Sequence, residues 1–205
     1  MSKKYVYLFD EGNAEMRSLL GGKGANLAEM TNIGLPVPPG LTITTEACNE
    51  YYLQKQQLPE GLEEQLAKGL VVVEERMGKK LGDNDNPLLV SVRSGAKISM
   101  PGMMDTILNL GLNDVTVEGM AKATDNRRFA LDCYRRFIQM FGDVAMGVDS
   151  ALFEDALSEM KINENVKFDH QLTVEALEKL ISSFKEIYRA GTGSEFPQDP
   201  KDQLT

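Results

Sequence analysis

Apolar residues return at helical spacing through most of the second half of this chain. Phe129, Cys133, Phe137 and Phe141 fall on one face of a predicted helix, and Leu152, Phe153, Ala156, Leu157 and Met160 on the next. A third stripe, Leu177, Leu180, Ile181, Phe184, Ile187 and Tyr188, follows Thr173, whose side chain suits a helix N-cap. Three amphipathic faces can bury one another, so residues 113–192 read as a helical subdomain. Nothing after Ile107–Gly111 has the alternation or β-branched content of a strand.

The first hundred residues are different, alternating between strand-like and helix-like stretches in the manner of an α/β or α+β lobe. "YVYLF" (Tyr5–Phe9) and "LTIT" (Leu41–Thr44) read as short strands, the second following the turn signal "GLPVPPG". A helix is predicted over Lys23–Ile33. Another, Glu60–Met77, carries Leu62, Leu66, Leu70, Val73 and Met77 inward and acidic residues outward. "NPLLVSVRSG" (Asn86–Gly95) reads as a buried strand ending in a glycine turn. The expected organisation is an α+β lobe at 1–112, the helical subdomain at 113–192 and a Gly/Pro-punctuated tail at 193–205. The tail has no core of its own and is expected to return toward the first lobe, which makes the helical part an insertion.

Charge narrows the partners. Thirty-one acidic residues against 22 basic give a net charge of −9, with no basic block to oppose it, which argues against nucleic acid and anionic membrane. The apolar run near the N-terminus is too short for a signal sequence or a membrane span, so a cytoplasmic protein is expected. Cys48 and Cys133 belong to no CxxC pattern and are expected to be reduced and buried.

Few residues offer chemistry. Lys23 lies in "LLGGKGANLAEM", where glycines allow close backbone approach and a lysine near a helix start adds its charge to free N–H groups. This is no Walker loop: Arg17 and Gly24 stand where that motif needs Gly and Ser or Thr. A phosphate grip and an ordinary solvated lysine both fit. Arg93, in "LLVSVRSG", leaves an apolar run and needs a partner, either a protein carboxylate or an anionic ligand. In "AKISMPGMMDT" a Pro-Gly turn is surrounded by methionines able to fill a core or cover a planar ring. His170, the one histidine, reads as a surface residue. Arg127-Arg128 and Arg135-Arg136 mark solvated helix edges. No metal-ligand spacing emerges.

Together, "LLGGKGANLAEM", "GLPVPPGLTITTEAC", "PLLVSVRSGAKISMPGMMDTILNLGLND", "YRRFIQMFGDV" and "EFPQDPKDQL" resemble the N-terminal part of the pyruvate, phosphate dikinase family, from end to end of the chain. Phosphoenolpyruvate synthases resemble the lysine region but differ after the Val-Arg-Ser. The resemblance implies an ATP-grasp-like first lobe with a mixed sheet and helices. The implied enzyme is a phosphotransferase (a kinase) that converts ATP, phosphate and pyruvate to AMP, pyrophosphate and phosphoenolpyruvate through a phosphohistidine. By that resemblance Lys23 and Arg93 fall on the nucleotide-phosphate lysine and arginine, Lys97 on a further nucleotide-binding position, and Gly102, Met103, Met104 and Thr106 in the Ser99–Thr106 loop that covers the nucleotide. Where the family usually repeats arginine, Lys97 keeps the charge and loses the bidentate geometry.

The resemblance also implies that ATP is the bound substrate and that Mg²⁺ is held by ligands outside this chain. Its partners would be a second ATP-grasp lobe, a phosphohistidine domain and a pyruvate-binding barrel. The chain is then a fragment, with no catalytic histidine or metal ligand of its own and no dikinase activity alone. A stand-alone nucleotide-binding or partner-docking module and a phosphoenolpyruvate synthase fragment are the alternatives.

Overall fold

A computed structural model describes residues 3–94 and 105–204. Their contacts form two compact units, Lys3–Gly78 with Ser94, and Lys79–Arg93 with Asp105–Leu204. The chain is mixed, with seven α-helices and three two-stranded sheets among the described residues.

In the first unit β1 (Val6–Leu8) pairs antiparallel with β2 (Leu41–Ile43), Val6 opposite Ile43 and Leu8 opposite Leu41. Between them runs α1 (Arg17–Asn32). The second helix, α2 (Thr45–Leu53), is capped by Thr44, whose hydroxyl accepts from the Ala47 N–H at 3.2 Å. The third, α3 (Leu62–Met77), lies on the sheet because Gly69 admits the Leu41 side chain, which would come within 2.9 Å of a Cβ there. Gln65 fastens it: its carbonyl oxygen accepts from the N–H groups of Tyr5 (2.7 Å) and Val6 (3.2 Å), and its amide donates to the Lys3 carbonyl. Tyr5, Val6, Ala47 and Leu62 are the small buried core. Cys48, expected inside, is exposed, because α2 turns the neighbouring Ala47 inward.

The second unit opens with β3 (Lys80–Leu81) parallel to β4 (Pro87–Leu88), and β5 (Val90–Arg93) antiparallel to β6 (Thr106–Leu110). The single buried strand expected over Asn86–Gly95 is therefore two short ones. Leu88 is buried, but Ser91, Val92 and Arg93 are exposed. The register shifts between Val90 and Val92, and Asn109 takes a φ of 61° on the partner strand, as a bulge requires.

Four helices follow: α4 (Thr116–Thr124), α5 (Arg127–Met140) running into a π-helical turn at Phe141–Ala145, α6 (Ser150–Asn163) and α7 (Val174–Thr192). Thr173 caps α7 as expected, accepting from the Ala176 N–H at 3.1 Å. The α7 stripe is buried at Leu177, Leu180, Ile181, Phe184 and Tyr188. On α5 the buried face is Ala130, Leu131, Tyr134, Phe137, Ile138 and Phe141, a rotation that leaves Phe129 exposed; Leu152 on α6 is likewise outside.

Arg135 corrects a further expectation. It is no solvated edge: its side chain is 2% exposed and pairs with Asp132 and Asp169, while Arg136, one step round the helix, is exposed. Arg128 is also engaged, donating to the carbonyls of Leu172 and Asp169.

The tail contributes to this core. Phe196 sits edge-on among Tyr134, Phe137, Phe141 and Tyr188, with ring centroids 5.3–6.2 Å away. Gln203 accepts from the Gly111 N–H at 2.9 Å and donates to the Leu112 carbonyl at 3.0 Å.

Candidate functional site

The glycines around Lys23 have separate structural roles. At Gly21 φ is 70° and ψ 171°, a conformation that L side chains avoid, and it breaks α1 into a lead-in turn and a longer helix. The helix expected to start at Lys23 starts afresh at Gly22, so Lys23 lies in a first turn, where backbone N–H groups lack intrahelical partners. A Cβ at Gly24 would come 2.7 Å from Thr42 Cγ2, so that glycine seats the helix on β2; at Gly22 the space is open to 4 Å. Across the break Arg17 donates to Asn26 Oδ1 at 3.2 Å, and Thr45 donates to the Ser18 carbonyl at 2.7 Å, holding the lead-in turn. Lys23 itself is half-buried, and among the described residues no carboxylate pairs with it. The turn thus presents a cation and the positive end of a helix together, an arrangement suited to an anion.

Arg93 belongs to the second unit and ends β5. It is exposed, so the argument that burial obliges it to find a partner does not apply. Its Nε donates to Ser91 Oγ at 3.3 Å. Directly opposite is Thr106, half-buried at the start of β6. The structure therefore brings Arg93 and Thr106 together at the base of the segment 94–105. Lys97, Gly102, Met103 and Met104 lie outside the described residues.

Comparison with known proteins decides the family. The family model described as "Pyruvate phosphate dikinase, AMP/ATP-binding domain" matches residues 17–71 and 53–202. The chain belongs to this family. Among curated relatives, the pyruvate, phosphate dikinase of Clostridium symbiosum is 58% identical over 202 residues, covering 98% of this chain and 23% of the relative. The chloroplastic pyruvate, phosphate dikinase 1 of Arabidopsis thaliana is 54% identical, covering 100% and 22%, and the Giardia intestinalis enzyme 53%, covering 100% and 24%. The chain thus spans a little under a quarter of the length of these relatives.

For a member of the pyruvate phosphate dikinase AMP/ATP-binding family, two further facts bear on the site. Among the described residues no group of three His, Cys, Asp or Glu side chains is arranged to hold a metal ion, and no helix is long and apolar enough to cross a membrane. Sequence reasoning singled out Lys23 but passed over Gly21. The only signal for it was the Gly-Gly pair, which does not say which glycine breaks the helix.

Proposed function

We propose that this chain supplies the ATP-binding part of a pyruvate, phosphate dikinase, and that Lys23 and Arg93 hold the nucleotide phosphates. The observation that carries the reading is Lys23: a half-buried lysine in the first turn after the Gly21 break, without a carboxylate partner among the described residues. Two cations of different shape neutralise charge as a phosphoryl or pyrophosphoryl group moves, and the guanidinium can hold two oxygens at once. Thr106, across from Arg93, adds a hydroxyl beside it. Gly102, Met103 and Met104 belong to the proposed cover over the nucleotide, and Lys97 is a further proposed nucleotide contact.

Mg²⁺ in such an enzyme would neutralise phosphate charge. Its proposed ligands lie outside this chain, and no step is assigned to the ion. The other proposed partners are a second ATP-grasp lobe, a phosphohistidine domain and a pyruvate-binding barrel. Residues 1–112 are read as the ATP-grasp-like lobe, 113–192 as its helical insertion and 193–205 as a tail returning toward that lobe. Two free cysteines, one of them exposed, support a reducing, cytoplasmic setting.

Titration of the chain with ATP and with adenosine tests the phosphate reading. Lys23→Ala should weaken ATP by about tenfold or more and leave adenosine unchanged. Equal loss for both ligands, or loss for neither, removes Lys23 from the phosphate site.

A further inference from the structure

A cleft of about 420 Å³ opens on the second unit between α5, α6 and the turn at Asp169. Arg135 forms part of its lining, with a side chain 2% exposed. Two carboxylates fix that guanidinium: Nε and Nη2 donate to Asp132 Oδ1 at 3.1 and 2.8 Å, and Nη2 reaches Asp169 Oδ2 at 3.3 Å. The remaining corner, Nη1, has only Gln139 Oε1 at 3.5 Å, the limit of a hydrogen bond, and Gln139 is itself part of the cleft wall. A guanidinium held rigidly by two corners with the third weakly engaged is preorganised for a ligand.

The rest of the lining is also richer in donors than in acceptors. Arg136 is 56% exposed and engages Asp132 Oδ2 through Nη2 at 3.0 Å, which leaves most of its fork free. Lys161 gives one N–H to Asp169 Oδ1 at 3.1 Å and has two more. The Ser158 hydroxyl and the Gln139 amide add neutral donors. Asp132 and Asp169 are already committed to these cations. Glu154, on the α6 wall, is the one lining carboxylate without an ion pair among the described residues.

We propose that this cleft binds a small oxyanion, a phosphate or a carboxylate group, through Arg135 Nη1, Arg136, Lys161 and Ser158. The group recognised is made of acceptors, because most of what the cleft leaves unused are donors. The site shares no residue with Lys23, Arg93 or Thr106, so it does not depend on the nucleotide reading. An anion there would join α5 and α6 through a single group.

Inorganic phosphate and acetate, titrated separately into the chain at ionic strength held constant with sodium chloride, test the proposal by NMR of the arginine Nε–H and backbone amide signals. Saturable shifts centred on Arg135, Arg136, Ser158 and Lys161 are expected with at least one anion, and the tighter of the two identifies the group recognised. Arg136→Gln should weaken binding about tenfold, and Glu154→Gln, which removes a repelling charge from an exposed site, should tighten it about threefold. Lys23→Ala and Arg93→Ala should leave it unchanged. The absence of saturable shifts up to about 10 mM of either anion overturns the proposal. So does binding that Arg136→Gln leaves intact or that Glu154→Gln fails to tighten; the second variant keeps the test decisive should the first fail to fold.

Discussion

Arg93 stands directly opposite Thr106 across the β5–β6 ribbon, and the two residues close the base of the segment 94–105. Because Arg93 is exposed and its nearest bond is to Ser91 Oγ, removing its side chain takes little from the fold. Arg93→Ala should keep thermal stability within about 0.5 kcal/mol of the parent while it weakens ATP. Calorimetry beside an ATP titration separates the two effects. Arg93→Lys should restore only part of the affinity, since one ammonium cannot reproduce paired guanidinium donors.

The three glycines near Lys23 should respond differently to alanine. Gly21→Ala forces a side chain into a conformation open mainly to glycine and should cost about 1–3 kcal/mol. Gly24→Ala meets Thr42 at 2.7 Å and should cost about 1–3 kcal/mol through overpacking. Gly22→Ala has open space and should be neutral or slightly stabilising, yet the added methyl narrows the approach to the first-turn N–H groups. Denaturant melts of the three variants, read beside their ATP affinities, should give that pattern.

Asp169 makes the second unit sensitive to acid. Burial pushes its carboxyl up, but the Lys161 hydrogen bond and the charges of Arg135, Lys161 and Arg136 outweigh it, so the net shift is downward. A depressed folded-state value means that its stabilising contribution is present above the ordinary carboxylate range, about pH 4, and is lost as pH falls through the folded value. Melting temperature should therefore fall below about pH 4, and Asp169→Asn should flatten part of that fall. At neutral pH the same variant should be destabilised by about 1–3 kcal/mol, because it weakens the pairing of the buried Arg135.

Local pattern made much of the fold legible. The α7 stripe and its Thr173 cap depend on residues close in sequence, as do the short runs that became β1 and β2. Contacts between distant residues were not legible in this way. Arg135 and Arg136 look alike in sequence, but they sit about 100° apart on α5, and Asp169, which hydrogen-bonds the first at 3.3 Å, comes 34 residues later. Phe196 lies in a polar tail that reads as having no core of its own, and only the ring of aromatic residues from α5, its π-helical end and α7 gives it a place. At the candidate site the lysine was visible because charge beside glycines is unusual. Arg93 was visible too, but for a reason that its exposure removes.

Lys23 and Arg93 are proposed to act together on the nucleotide phosphates. The direct measurement is the ATP half-reaction in a full-length enzyme carrying this chain, with the pyruvate half-reaction of the same preparation as the control for folding. Lys23→Ala and Arg93→Ala should each slow the ATP half-reaction by roughly 30- to 1,000-fold, equivalent to about 2–4 kcal/mol of lost transition-state stabilisation, and leave the pyruvate half-reaction nearly intact. A normal ATP half-reaction in both variants, or equal slowing of both half-reactions, contradicts the account and returns these residues to a structural role.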